Sequence, residues 1–210
     1  GKTGVGKTTL IKLLLRLYDL QSGSINIGTN NINDITLKSL RENIALVSQE
    51  TFLFDGTISD NISYPNLDAK FEDIKSVSKL SQCDEFIDRF PLGYDTIIGE
   101  RGQRLSVGQK QRISIARAII KDPSILIFDE ATSSVDNKTE NLIQKSLKEI
   151  SKNRTTIAIA HRLSTIRNAD QILVLENGKI IESGTHDELV ALKGNYKNLW
   201  DLQTGKLERS

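Results

Sequence analysis

The first residues of the chain carry glycines, a lysine and a threonine at a spacing that suits phosphate chemistry. Residues 1–8 read GKTGVGKT, which fits the pattern G-x-x-x-x-G-K-[ST]. The glycines let the backbone curl so that several N–H groups converge on phosphate oxygens, and a helix starting near Lys7 would add its positive end. Lys7 would reach the β- and γ-phosphates, and the Thr8 hydroxyl would bind Mg²⁺. A chance glycine-rich turn is the alternative, but an apolar helix directly follows. The residues predicted to hold phosphate are Gly1, Lys2, Thr3, Gly4, Val5, Gly6, Lys7, Thr8 and Thr9.

Two adjacent carboxylates, Asp129 and Glu130, end a wholly apolar stretch at residues 125–128. Such a stretch is typical of a buried strand, and carboxylates buried without a partner would be strongly destabilising. We therefore expect a cation or a reacting group beside them. Asp129 is predicted to hold Mg²⁺ directly or through water, and Glu130 to polarise an attacking water.

Two further polar residues, Gln49 and His161, also follow strand-like stretches, at residues 44–48 and 155–160. Ligands of open α/β sheets bind beyond the carboxyl ends of the strands, which favours a functional role for His161 near the γ-phosphate. For Gln49 two interpretations stay open. It is either a polar strand end or a residue that holds the metal or its water.

The elements that must position these side chains alternate between strands and helices, which indicates a mostly parallel sheet flanked by helices. The leucine-rich stretch at residues 10–17 predicts a helix that is apolar nearly all round and therefore buried. A polar turn at residues 105–109 opens a helix to about Lys121, and residues 57–104 predict a helical insert. Glu176-Asn177-Gly178 indicates a hairpin, hence a small antiparallel portion. Thr185–Glu188 predicts a capping box, with His186 at the surface.

Composition narrows the classes of protein. The formal net charge is +1, with 28 basic and 27 acidic residues spread along the chain, which does not favour a nucleic-acid partner. The single Cys83 excludes an internal disulfide and is interpreted as a small apolar residue rather than a reactive thiol. No apolar run approaches the roughly 20 residues needed to cross a bilayer.

The order of these motifs resembles the nucleotide-binding domain of an ATP-binding-cassette (ABC) transporter, over almost the whole chain. The matching features are the phosphate loop at 1–8, the Q-loop at Gln49, the signature LSVGQ at 105–109, the Walker B strand ILIFDE at 125–130, the D-loop at 133–136 and the switch histidine His161. The signature has Val107 where the commonest family pattern has glycine. Finer similarity is to the exporter branch, in the segment after the Q-loop at 51–62, the X-loop at 99–102 and GTHDEL at 184–189.

This resemblance implies a RecA-like P-loop NTPase fold. It implies a core at residues 1–56 and 115–203, a helical subdomain with the signature at 57–114, and a tail at 204–210. It further implies that two copies pair head to tail around two ATP molecules with Mg²⁺. Ser106, Gly108 and Gln109 of one copy would then face the phosphates held by the other. Catalysis is assigned to Glu130, His161 and Gln49, and the metal to Thr8, Gln49 and Asp129.

The resemblance also implies the setting in which this ATPase would work. ATP hydrolysis would drive export by a transmembrane domain fused upstream, at the cytoplasmic face of the cell membrane. The alternatives are a separate ATPase subunit of an ABC importer, a non-transport ABC ATPase of DNA repair, chromosomes or translation, and a module without ATPase activity. Chromosome-type members carry a long coiled coil between phosphate loop and signature, and residues 9–104 contain no sustained heptads. Glu130 and His161 are both present, which argues against lost activity.

The chain contains no methionine, and residue 1 already lies inside the phosphate-loop pattern. We therefore expect the protein to possess a further strand ahead of this loop and an aromatic residue that stacks on adenine. Without that strand we expect the 210 residues alone to be unstable, because strand edges would be left unpaired. A cooperative melt together with micromolar ATP affinity would contradict this expectation.

Overall fold

A computed structural model describes residues 4–129, 137–160 and 162–206. The helices are α1 Lys7–Leu14, α2 Leu37–Asn43, α3 Ile58–Ser63, α4 Phe71–Leu80, α5 Asp84–Ile87, α6 Val107–Ile119, α7 Asn137–Ile150, α8 His186–Leu192 and α9 Asn195–Gln203. The strands are β1 Asn26–Ile27, β2 Asn30–Asn31, β3 Ile44–Val47, β4 Ile125–Asp129, β5 Thr155–Ile159, β6 Ile172–Glu176 and β7 Lys179–Gly184. Short 3₁₀ turns lie at Gly93–Asp95, Glu100–Gly102 and Leu163–Ile166. No described helix is long and apolar enough to cross a membrane.

Two compact units divide the described residues. One comprises Asn26–Ile157, and the other comprises the residues up to Ile25 together with those from Ala158 onward. In the first, β3 runs parallel to β4 with Ile44 opposite Ile125 and Val47 opposite Phe128. β5 is the third strand of this sheet, next to β4.

Helix α6 lies between two apolar clusters of the Asn26–Ile157 unit and contributes side chains to both. One face contributes Ile113 and Ala116, together with Ile120 directly after the helix, to a cluster built with α3, α4 and α5. The other face contributes Ile115, Ala118 and Ile119 to a cluster with β3, β4 and α7. Because both faces are buried, α6 is fixed relative to the sheet and to the helical insert at once.

The second unit contains α1 and the antiparallel hairpin β6–β7. Its turn has Asn177 and Gly178 at φ 49° and 73°, the left-handed values of the predicted two-residue turn, so the hairpin prediction is confirmed. The predicted capping box is also confirmed, since the Thr185 N–H donates to Glu188 Oε2 (2.8 Å) and the Glu188 N–H to Thr185 Oγ1 (3.4 Å). The C-terminal part of this unit has a core of Leu163, Ile172, Val174, Leu189 and Tyr196.

Two local predictions are wrong. Only Ile11 of α1 is buried, and Leu10 and Leu17 are more than half exposed. The helix also ends at Leu14 and does not continue along the apolar run. Arg16 there adopts φ 49°, and the Leu17 N–H donates to the Lys12 carbonyl (2.8 Å), a helix-ending arrangement. His186 is not at the surface but half-buried, because its Nδ1 pairs with Tyr196 Oη at 2.8 Å and its ring packs on Trp200.

Candidate functional site

The described end of the phosphate loop has a backbone that glycine favours. Gly4 and Gly6 adopt φ values of 85° and 100°, a left-handed region in which a residue with a side chain would be strained. Space is not the reason for glycine here, since no atom lies within 4 Å of a Cβ built at either position. Gly6 is the N-cap of α1, and no cap hydrogen bond from a side chain is seen there among the described residues. The positive end of the helix dipole lies at this turn, an arrangement that favours an anion. Gly1, Lys2 and Thr3 lie outside the described residues.

Lys7 begins α1 and is half-buried, whereas Thr8 and Thr9 are exposed. This places the lysine, the hydroxyl predicted to hold a metal and the first N–H groups of α1 on one helical turn. The spacing predicts phosphate binding at this turn, and the assignment of these residues stays a prediction.

The parallel pair β3–β4 brings Gln49 and Asp129 to the same edge of the sheet. Val47 lies opposite Phe128, so Asp129 is one residue and Gln49 two residues past this pair. Asp129 is half-buried and Gln49 is exposed. Both side chains thus follow the carboxyl ends of neighbouring parallel strands, where α/β sheets bind ligands. Glu130, the D-loop residues 133–136 and His161 lie outside the described residues.

The predicted metal donors are oxygens of a hydroxyl, a carboxamide and a carboxylate, from Thr8, Gln49 and Asp129. Mg²⁺ prefers such hard ligands and usually binds one or two carboxylates together with substrate phosphates. Among the described residues no group of three or more His, Cys, Asp or Glu side chains could hold a metal by itself. The donor types therefore fit a magnesium ion that is shared with a phosphate, and not a closed metal cage.

The signature turn is held by reciprocal hydrogen bonds at the start of α6. The Gln109 N–H donates to Ser106 Oγ (3.3 Å), and the Ser106 N–H donates to Gln109 Oε1 (2.8 Å). Because Ser106 Oγ accepts this bond, its hydroxyl hydrogen can still be donated to a phosphate oxygen. Ser106 and Val107 are exposed, whereas Leu105 and Gly108 are buried. The turn thus presents Ser106 outward from a fixed helix.

Arg112 anchors this turn from the next turn of α6, and the sequence analysis did not single it out. Its Nε donates to the Gly108 carbonyl (3.4 Å), and its Nη1 donates to the Gln82 carbonyl (2.9 Å) and to Glu85 Oε2 (2.8 Å). The guanidinium also lies over the Phe86 ring, 4.8 Å from its centroid. A basic residue on a largely buried helix could have indicated that Arg112 is paired. Its partners outside α6, Gln82 and Glu85, lie about 30 residues away in sequence, so the sequence alone does not identify them.

The segment after Gln49 is tied to α6 as well. Thr51 Oγ1 donates to the Oε1 of buried Gln111 (2.6 Å), and the Arg117 guanidinium donates to the Phe52 carbonyl (2.8 Å) and to the Asn61 carbonyl (2.8 Å). The same helix therefore carries the signature turn at its start and restrains the stretch beyond Gln49 along its length. Sequence reasoning did not predict these links.

Phe52, Phe54 and Tyr64 form an aromatic patch, and the Arg117 guanidinium lies against two of its rings, 5.3 Å from the centroid of Phe54 and 6.0 Å from that of Tyr64. The rings of Phe54 and Tyr64 stack at 4.3 Å, and Phe52 meets Phe54 edge-on at 5.2 Å. The exposed fractions are 54% for Phe52, 38% for Phe54 and 54% for Tyr64. Exposed apolar patches of this kind mark interaction sites on soluble domains.

Cys83 has no part in the candidate site. It is fully buried, and this burial raises the pKa of its thiol to about 12, so the reactive thiolate is not formed near neutral pH. Its interpretation as a small apolar residue is confirmed.

Comparison with known proteins decides the family. The family model described as ABC transporter matches residues 1–133. The chain belongs to the ABC transporter family. It is 53% identical over 203 residues to an uncharacterized ABC transporter ATP-binding protein, YknU, of Bacillus subtilis strain 168, covering 97% of this chain and 35% of that protein. It is 50% identical to an ATP-dependent lipid A-core flippase of Desulfotalea psychrophila, covering 97% of this chain and 36% of the flippase.

A solved structure agrees with these relatives. A bacterial Atm1-family ABC exporter with ATP bound superposes with a TM-score of 0.92 and 42% identity, covering all of this chain and 36% of the exporter chain. The P-loop NTPase fold with a parallel sheet flanked by helices is confirmed, as is the resemblance to exporter-type ATP-binding domains. The chain spans about a third of the length of the relatives it matches.

Proposed function

We propose that this ABC domain binds and hydrolyses ATP in a head-to-tail pair and powers export through a membrane part of the same polypeptide. The observation that carries the proposal is the signature turn, where exposed Ser106 is fixed at the start of α6 with a hydroxyl hydrogen left to donate. Such a preorganised donor is of little use to an isolated domain. It is useful when a second domain brings a phosphate to it.

Within one copy, the residues of the phosphate loop bind the triphosphate. The glycine-rich loop would supply backbone N–H groups to its oxygens, and the start of α1 would add the positive end of the helix dipole. Lys7 neutralises the β- and γ-phosphates, and Thr8 and Thr9 contribute hydroxyls. Positioning and charge neutralisation are the main requirements of phosphoryl transfer, and this loop supplies both.

Thr8, Gln49 and Asp129 hold the metal in this proposal. Bound Mg²⁺ supplies charge neutralisation at the β- and γ-phosphate oxygens. Asp129 is suited to this because the end of β4 leaves its carboxylate half-buried at the ligand-binding edge of the sheet. Gln49 is exposed after the neighbouring strand β3, and its amide oxygen would hold the metal or its water.

Glu130 directly follows Asp129, the proposed metal ligand, in sequence. In the proposal it accepts a proton from the attacking water. His161 follows β5, the neighbour of β4, and donates to the γ-phosphate to hold the geometry of attack. These roles rest on the chain positions of the two residues and on the family to which the chain belongs.

The second copy completes the site with Ser106, Gly108 and Gln109. The Ser106 hydroxyl and the N–H groups at the start of α6 donate to the γ-phosphate, while the Gln109 side chain keeps the turn in place. Loss of one preorganised donor to a developing charge lowers the rate about 10²–10³-fold, roughly 3–4 kcal/mol. A single copy lacks every donor of its partner, so it binds ATP but turns it over slowly. ATP therefore closes the pair, and hydrolysis opens it.

The aromatic patch is the proposed docking surface for the membrane part. Two observations support this. About two thirds of the length of the matched relatives lies outside the region that this chain covers. The two segments with exporter-like sequences also meet here, because Gly102 of the X-loop packs against buried Leu53, between Phe52 and Phe54. Movement of a membrane helix on this patch would reach Gln49 through Thr51 and the signature turn through α6.

The domain would then work at the cytoplasmic face of the cell membrane, with residues 57–114 as the helical subdomain, 1–56 and 115–203 as the core and 204–210 as a tail. A separate importer ATPase or a non-transport ABC ATPase is the alternative. Relatives that include a flippase and an exporter, each about three times as long as this chain, favour the exporter.

The test is Glu130→Gln in the full-length protein. We expect ATP turnover to fall at least about 100-fold while ATP binding is retained, since only the proton acceptor is removed. Glu149→Gln is the matched control, because Glu149 is an exposed carboxylate on α7 whose described ion pair is with Lys152. Near-normal turnover in Glu130→Gln would remove Glu130 from its role, and lost turnover in the control would make the effect nonspecific.

A further inference from the structure

Gly108, the fourth residue of the signature, is in close contact with α7 of the same chain. A Cβ built on Gly108 would overlap Cγ2 of Thr139 and would lie 3.4 Å from both Cβ and Oγ1 of that residue. Thr139 is the third residue of α7. No ordinary side chain fits between the first turns of α6 and α7 unless one of them moves.

The backbone of Gly108 does not itself require glycine. It lies within α6 and, unlike Gly4 and Gly6, has no left-handed φ. Alanine is preferred over glycine in a helix, so it would be the better residue here if the space were open. The glycine is therefore explained by the approach of Thr139, whereas the loop glycines are explained by their backbone conformation.

The packing around this contact ties the two helices firmly together. Ile115 and Ile119 of α6 share a buried cluster with Ile143 and Ile150 of α7. Closely packed protein interiors have low compressibility, so a displacement of one helix is passed to the other. The Gly108–Thr139 contact is the end of that interface, at the N-termini of both helices.

Under the proposed function, the N-termini of α6 and α7 belong to different ATP sites. The start of α6 presents Ser106 to the nucleotide of the partner copy. The start of α7 follows residues 130–136, which join it to β4 and include Glu130, the proton acceptor for the nucleotide of its own copy.

We infer that Thr139 is a positioning residue. Its Cγ2 methyl, seated on Gly108, sets the spacing between the signature turn and the start of α7, and so links the two ATP sites of a pair through one chain. This inference rests on the proposed function. Under the proposed function, Gly108 faces the nucleotide of the partner copy. The inference assigns Gly108 a second contact, with Thr139 of its own chain.

The test is a double-mutant cycle on the full-length protein. Gly108→Ala introduces the overlapping methyl, and Thr139→Ser removes the Cγ2 that it would strike while keeping a hydroxyl. Thr139→Val is the matched control, because it keeps both branches and loses only the hydroxyl. ATPase kcat and KM, and the unfolding temperature, are measured for all single and double variants.

We expect Gly108→Ala to lower kcat at least tenfold with a KM for ATP within threefold of the wild type. The Gly108→Ala/Thr139→Ser double variant should return kcat to within threefold of the Thr139→Ser single variant. The Gly108→Ala/Thr139→Val double variant should stay as slow as Gly108→Ala. The unfolding temperature should fall by about 2–4 °C in Gly108→Ala and recover only with serine at 139.

Normal kcat in Gly108→Ala would overturn the inference, and so would equal losses in the serine and valine backgrounds. The second result would mean that the added methyl strikes the nucleotide or the partner instead of Thr139. Wild-type protein without ATPase activity would contradict the proposed function, and the unfolding temperatures would then decide the contact by themselves.

Discussion

At the scale of the residue, a few buried polar side chains fix the exposed groups of the site. Arg112 is the clearest case, since its side chain is 8% exposed and its three acceptors come from α6, from the turn at Gln82 and from α5. A buried cation of this kind is tolerated only because it is paired and hydrogen-bonded. Its position keeps the first turn of α6, and hence Ser106, in place.

Arg112→Ala is expected to destabilise the domain by about 2 kcal/mol, because hydrogen bonds to a charged group are lost and carbonyls are left without their donor. Chemical unfolding of the full-length protein measures this, with ATPase turnover as a second readout. Arg89→Ala is the matched control, because Arg89 pairs with the same Glu85 at 3.9 Å but is 76% exposed. It should cost less than about 1 kcal/mol. Equal costs for the two variants would contradict the anchoring role of Arg112.

Contacts between residues close in sequence could be predicted, whereas contacts between residues far apart in sequence could not. The capping box of α8 and the Asn177-Gly178 turn were predictable because their partners lie within three residues. The contacts of Arg112 with Glu85 and of Gly108 with Thr139 join residues about 30 apart in sequence, and they exist only once the helices have packed. The half-burial of His186 against Trp200 depends on packing in the same way.

At the scale of the element, α6 connects the parts of the candidate site in the Asn26–Ile157 unit. It begins at the signature turn, and its side chains bind the stretch after Gln49 through Gln111 and Arg117. Both of its faces are buried, so it is packed on two sides within this unit. In the proposed function, a displacement at the aromatic patch is passed along α6 to Ser106.

Alanine substitution of Phe54 together with Tyr64 tests this path in the full-length protein. We expect ATP binding to persist while stimulation of ATPase by transported substrate, or transport itself, falls at least about tenfold, since aromatic anchors dominate docking energies. Phe71→Ala is the control, because Phe71 is also half exposed but packs edge-on against Tyr94, outside the patch. Unchanged coupling in the double variant would place the membrane contact elsewhere.

The elements themselves were largely predictable, because periodicity and caps are local signals. Strands β3, β4 and β5 and helix α6 fall where the sequence predicts them. The error at α1 has a physical cause. Apolar residues on every side of a helix predict burial, but they do not show where the helix ends or what covers it. The parallel pairing of β3 with β4, after whose ends Gln49 and Asp129 lie, was expected from the alternation of strands and helices, and it is confirmed.

At the scale of the whole molecule, the proposed reaction requires two chains. In this proposal the phosphate loop and the metal carboxylate belong to the copy that binds ATP, and the exposed Ser106 turn serves the other copy. This division would explain why Ser106 is exposed at a turn that its own chain holds in place by hydrogen bonds. It also explains how ATP can close the pair while hydrolysis releases it.

The most direct measurement is a structure of the full-length Glu130→Gln protein with ATP and Mg²⁺, in which slow turnover traps the closed pair. We predict that Ser106 Oγ of one copy lies within hydrogen-bond distance, about 2.5–3.0 Å, of a γ-phosphate oxygen of the ATP on Lys7 of the other copy. A structure in which ATP is bound to Lys7 but Ser106 of the partner lies far from any phosphate would contradict the account.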